Sequence, residues 1–87
     1  MTYKTTPGVI LTSVCGKYFL VQADGSMQIN ETAAFYWKQL QRTASPDELA
    51  AAAAEEYEIP QSDVLKKDIR ELLHSLLINR LIERSVS

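Results

Sequence analysis

The sequence predicts an α+β domain in which three short antiparallel strands are followed by three helices, in the order β-β-β-α-α-α. Apolar residues alternate at a strand-like period up to Asn30 and recur at a helical period beyond it. Tight-turn dipeptides punctuate the first half, and capping sequences open the helices of the second. At 87 residues, with 46% hydrophobic and 23% charged side chains, the chain has globular composition and the length of one small domain, taken as residues 1–87.

The first strand is read over Val9-Ile10-Leu11-Thr12-Ser13-Val14, which is β-branched and aliphatic, and Cys15-Gly16 turns it back. Lys17-Tyr18-Phe19-Leu20-Val21-Gln22 has the aromatic and branched content of a half-buried second strand. Asp24-Gly25 is a hairpin signal, because glycine tolerates the positive φ such turns need. Ser26-Met27-Gln28-Ile29 then alternates polar and apolar, placing Met27 and Ile29 on one face. The chain leaves this third strand for a helix, so the strand is expected at the edge of the meander.

Asn30 is a suitable N-cap for a first helix over Glu31–Leu40, with Phe35, Trp37 and Leu40 as its bulk and Glu31 in its first turn. Ser45-Pro46-Asp47-Glu48 combines a capping box with proline at the first helical position. That second helix runs through the alanine-rich Leu49–Glu56 to Tyr57, and Ile59-Pro60 ends it. Ser62-Asp63 caps the third and longest helix, read from Val64 to Asn79. Its buried stripe is Leu65, Ile69, Leu72, Leu73, Leu76 and Leu77, with Lys66, Lys67, Arg70, Glu71 and His74 mostly off it. The helices are expected to cover one face of the sheet.

A domain this small has little room for both a core and a deep catalytic cavity, which favours an interaction module. Cys15 and His74, the single cysteine and histidine, have no partners at metal-ligand spacing, and no nucleotide-binding or metalloprotease motif is present. The chain is read as non-enzymatic, without cofactor or metal. A carrier protein needs a serine at a helix start after an acidic residue, whereas His74-Ser75-Leu76 falls mid-helix. No apolar run reaches membrane-spanning length and no signal peptide is recognisable, so a cytoplasmic location is expected.

Two binding classes remain. Three helices and a hairpin are also the parts of a small winged-helix DNA-binding regulator, the alternative function. Lys66, Lys67, Arg70, Arg80 and Arg84 lend it some charge, but interspersed acids and a net charge of −2 argue against phosphate neutralisation. Peptide recognition is favoured, and nucleic acid and membrane are not expected as partners. An unpaired edge at Ser26–Ile29 beside an amphipathic helix offers backbone groups on one wall and side chains on the other, which suits strand addition. Met27 and Ile29 are each as readily core residues as groove residues. The same edge could pair with a second copy of the chain, leaving a homodimer open.

The front half, Pro7-Gly8-Val9-Ile10-Leu11, then Met27-Gln28-Ile29-Asn30-Glu31-Thr32-Ala33-Ala34, then Trp37, resembles that of PqqD-family proteins. The back half, Glu48-Leu49, Glu55-Glu56-Tyr57-Glu58-Ile59, Val64, Asp68-Ile69, Leu72-Leu73, Leu76 and Leu81-Ile82, is similar to the closing helices of that family. The resemblance implies a winged-helix-like RiPP recognition element, a stand-alone peptide chaperone. It would bind the leader segment of a ribosomally made precursor peptide and present it to a modifying enzyme, such as a radical-SAM maturase or a peptidase. It further implies that the leader adds as a strand to Ser26, Met27, Gln28 and Ile29. The facing helix positions are then Val64, Lys67, Asp68, Glu71, Leu72 and Ser75. Many family members carry a glycine at the end of the third helix. Here Asn79-Arg80 stand before Leu81-Ile82, and Asn79 is the residue expected to take the left-handed conformation.

Overall fold

The structure, a computed structural model, describes residues 1–85. It contains β1 (Thr2–Thr5), β2 (Ile10–Val14), β3 (Lys17–Gln22), β4 (Gly25–Ile29), α1 (Glu31–Gln39), α2 (Pro46–Tyr57), α3 (Asp63–Ile78) and β5 (Ile82–Ser85). The predicted meander is β2-β3-β4, antiparallel throughout, with β4 at one edge. The predicted three helices follow it.

Turn chemistry fixes the meander. Val14 pairs with Lys17, leaving Cys15 (φ 51) and Gly16 (φ 77) as a two-residue loop with both residues left-handed. That is the primed-turn geometry whose twist matches the flanking strands. The second hairpin closes on Gln22 and Gly25, so its loop is Ala23-Asp24, one residue earlier than the Asp24-Gly25 signal suggests. The glycine, at φ 155, already belongs to the strand.

Each helix starts on the expected cap. Asn30 Oδ1 accepts from the Ala33 N–H at 2.7 Å, and Ser62 Oγ accepts from the Leu65 N–H at 3.2 Å. Ser45 Oγ accepts from the Glu48 N–H at 3.1 Å, while Glu48 Oε1 accepts from the Ser45 N–H at 3.0 Å, completing the capping box.

The end of α3 differs from expectation. Asn79 stays at φ −84 and its Nδ2 donates to the Ser75 carbonyl at 2.8 Å, so Arg80, at φ 60, is the left-handed residue. The Leu81 N–H reaches back to the Leu76 carbonyl at 2.9 Å and the Arg80 N–H to the Leu77 carbonyl at 3.0 Å. These are the two bonds of a Schellman ending, with arginine at the position where glycine costs least.

Two strands were not expected from the sequence. β1 and β5 pair antiparallel as a separate two-stranded sheet, Thr2 opposite Ser85 and Thr5 opposite Ile82. Tyr3 also exchanges backbone hydrogen bonds with Ala44, at 2.8 and 3.0 Å, and the Thr5 N–H donates to the Leu40 carbonyl at 3.0 Å. The first strand is thus clasped between the loop after α1 and the segment after α3, and it does not pair with β4.

The core joins Leu20 and Ile29 from the meander to Trp37 of α1 and Leu40 at its C-terminal cap, Leu49 of α2, and Ile69, Leu73 and Leu76 of α3. Leu81 and Ile82 close it from the far end. Leu65, Leu72 and Leu77 pack against this core half-buried, so the predicted stripe of α3 faces inward as a whole. Among the described residues no helix is long and apolar enough to cross a membrane.

Candidate functional site

Among the described residues β4 pairs with β3 alone, and no strand lies on its outer side. In an antiparallel pair closed by a two-residue turn, the closing residues exchange hydrogen bonds and alternate positions do so thereafter. With Gln22 opposite Gly25, that rule gives Gly25, Met27 and Ile29 to the β3 ladder. Ser26 and Gln28 turn their N–H and C=O groups to the open edge.

Side chains on β4 divide by face. Met27 stands opposite Leu20 and packs against the core, and Ile29 is 7% exposed within it, whereas Ser26 and Gln28 are exposed. The apolar residues of the strand are therefore held by the domain itself. What β4 has to offer an outside chain is backbone.

Directly after β4 the chain enters α1, and a surface cavity of about 300 Å³ lies between the start of α1 and α3. Asn30, Thr32, Ala33 and Tyr36 line one side, Asp68 and Leu72 the other. At about 100° per residue, Asp68, Leu72 and Ser75 share one stripe of α3, with Val64 and Glu71 on its outer margin. Lys67 falls about 100° from Asp68, on the solvent crest of the helix. Leu72 and Ser75 are half-buried; Val64, Lys67, Asp68 and Glu71 are exposed, Val64 to 69%.

The structure thus gathers Asp68 and Leu72 into the cavity. Four further lining residues, from Asn30 to Tyr36, were not singled out from the sequence. Asn30 gave a signal only as a helix cap; nothing local marks the first turns of α1 as a wall, because α3 creates the cavity by packing beside it.

Tyr36 gives the wall a polar element. Its ring is 4% exposed and held edge-on by Phe35, with centroids 5.5 Å apart. Burial, followed by the electrostatic influence of Tyr57 and Asp68, raises its hydroxyl above the ordinary value of 10.0. Asp68 and Glu71 make this flank of α3 acidic.

Residues 17–82 match the protein-family model described as Coenzyme PQQ synthesis protein D (PqqD). No curated protein matches the chain significantly. Among solved structures, the PqqD truncation of Methylobacterium extorquens PqqCD, described as a functional, stand-alone RiPP recognition element, superposes with a TM-score of 0.81 at 19% identity, over 95% of this chain and 89% of that one. TbiB1, solved in complex with the TbiA(beta) leader peptide, gives 0.77 at 19% identity, over 97% and 99%. Lasso peptide synthetase B1, complexed with its leader peptide, gives 0.75 at 25% identity, over 94% and 98%.

Proposed function

The chain belongs to the PqqD family, and from that premise we propose that it is a non-enzymatic adaptor, residues 1–87 acting as one unit. Its task is to capture the leader segment of a ribosomally synthesised precursor peptide and present it to a modifying enzyme. The observation that carries this reading is the open margin of β4, whose chain runs directly into Asn30 at the cavity between α1 and α3. Similarity in fold to two proteins solved with leader peptides supports it.

An extended leader adds antiparallel or parallel to β4 through the outward groups of Ser26 and Gln28. Its backbone takes two kinds of bond there, accepting from each N–H and donating to each C=O. Alternate leader side chains then point toward α3, where Leu72 offers an apolar contact and Asp68, Glu71 and Ser75 offer polar ones. Val64 meets the leader at the outer margin of that wall, and Lys67 at the solvent crest beyond it. Main-chain bonds supply affinity whatever the sequence, and the α3 wall supplies selectivity. The proposed setting is the cytoplasm, where precursor and enzyme are made.

Amide hydrogen exchange tests this with the precursor peptide encoded nearest the gene for this chain. Slower exchange at Ser26 and Gln28 on adding that peptide, with Met27 unchanged, supports strand addition. Protection confined to α2 or to β2 would contradict it.

A further inference from the structure

The opposite flank of α3 has a different character from the proposed leader groove. Arg70 and His74 stand one helical turn apart on it, and Arg84 reaches the same space from β5. All three line a cavity of about 230 Å³, and His74, Leu77 and Arg84 also line an adjoining one of about 450 Å³. Tyr3, opposite Arg84 in the β1–β5 ladder, lines the first; Ile78, 65% exposed, lines the second.

Helical spacing sorts most charges of α3 to two flanks, with Lys67 on the crest between them. Asp68 and Glu71 lie on one side of the buried stripe, and Lys66, Arg70 and His74 on the other. Asp63 opens the basic side, but two turns before Arg70. Glu83, the acidic neighbour of Arg84, pairs with Lys4 on the other face of the ladder. Among the described residues Arg70, His74 and Arg84 make no side-chain hydrogen bond. Their donors are thus free for a ligand, in a protein whose net charge is −2.

We infer that this groove docks an acidic segment of a second protein, one in which carboxylates flank a leucine-like side chain. The carboxylates pair with Arg70 and Arg84, arginine's fork suiting bidentate contact, while the aliphatic side chain covers Leu77 and Ile78. A nucleic acid would meet the same cations but leave this aliphatic floor without a partner. The inference is independent of leader binding, since Arg70, Leu77 and Arg84 lie across α3 from Asp68 and Leu72.

The test uses the full chain, isotope-labelled, and a short synthetic peptide of alternating glutamate and leucine. Amide shifts should centre on Arg70, His74, Leu77 and Arg84. Arg70→Glu and Arg84→Glu should each weaken binding by about fivefold or more, and the charge-matched control Lys17→Glu by less than about twofold. The wild-type shift map localises the site even if Arg84→Glu disturbs the β1–β5 pairing. Shifts elsewhere, equal losses in Lys17→Glu, undiminished binding of the glutamine-for-glutamate peptide, or tighter binding of a DNA duplex at these residues would each overturn the inference.

Discussion

Asp68 on α3 and Tyr36 on α1 face the same cavity, and the Asp68 charge is one of the causes that raise the Tyr36 hydroxyl above its ordinary pKa of 10.0. Burial is the largest cause and Tyr57 the next. Asp68→Asn should therefore lower the Tyr36 pKa while leaving it above the ordinary value. A pH titration of the Tyr36 ring signals by NMR checks this; no movement would separate the two groups.

The same shift has a consequence for stability. Because the folded-state pKa is raised, the contribution from keeping Tyr36 neutral is fully present below the unfolded value of 10.0 and is lost as pH rises through the folded one. Wild-type stability should thus fall on the alkaline side, and Tyr36→Phe should flatten that fall. Denaturant melts at a series of pH values read the difference.

Arg80 stands at φ 60 in the Schellman ending of α3. A left-handed conformation costs a side-chain-bearing residue about 1–2 kcal/mol, and glycine returns part of that as added freedom in the unfolded chain. Arg80→Gly should stabilise the fold by about 0.5–1 kcal/mol, raising the thermal midpoint by several degrees. The Thr6 hydroxyl bonds the Arg80 carbonyl, which the substitution keeps.

Leu20 is fully buried and Val64 is 69% exposed. Leu20→Ala should cost about 2–5 kcal/mol, a large share of the stability of so small a domain. Val64→Ala should change stability by less than about 0.5 kcal/mol yet weaken leader binding, if Val64 meets the leader as proposed. Melting and peptide titration together separate the two roles.

Most of the fold was legible because its signals are local. Ser45-Pro46-Asp47-Glu48, Asn30 and Ser62 cap helices through bonds spanning three residues, and Cys15-Gly16 makes a turn with its own torsions. The β1–β5 sheet was not legible: it joins Thr2–Thr5 to Ile82–Ser85 across nearly the whole chain, and each strand is too short for a period to show. Arg80 rather than Asn79 is left-handed: helical geometry extends through Asn79, whose amide bonds the Ser75 carbonyl, and a one-residue difference in helix length is not marked in the sequence. At the candidate site, the exit of Ser26–Ile29 into a helix marked the edge, but the cavity wall at Asn30–Tyr36 needed α3 in place beside it.

Charge on the α3 wall should govern which leader binds. Asp68 lines the cavity and Lys67 stands on the crest, so Asp68→Lys should shift preference toward leaders with acidic residues more strongly than Lys67→Glu shifts it the other way. Competition between two leaders of opposite charge measures the shift. Equal, negligible effects would make both residues solvated helix charges.

The central claim is that a foreign backbone pairs with β4 through Ser26 and Gln28. Gln28 lies opposite Phe19 with its N–H directed to the open side, so proline there removes an outward donor without breaking the β3 ladder. The decisive measurement is the affinity of the leader for Gln28→Pro, with Gln28→Ala as the control that retains the N–H. The expected result is a loss of about tenfold or more in the proline variant alone, both variants remaining folded. Wild-type affinity in a folded Gln28→Pro protein would contradict strand addition at this edge.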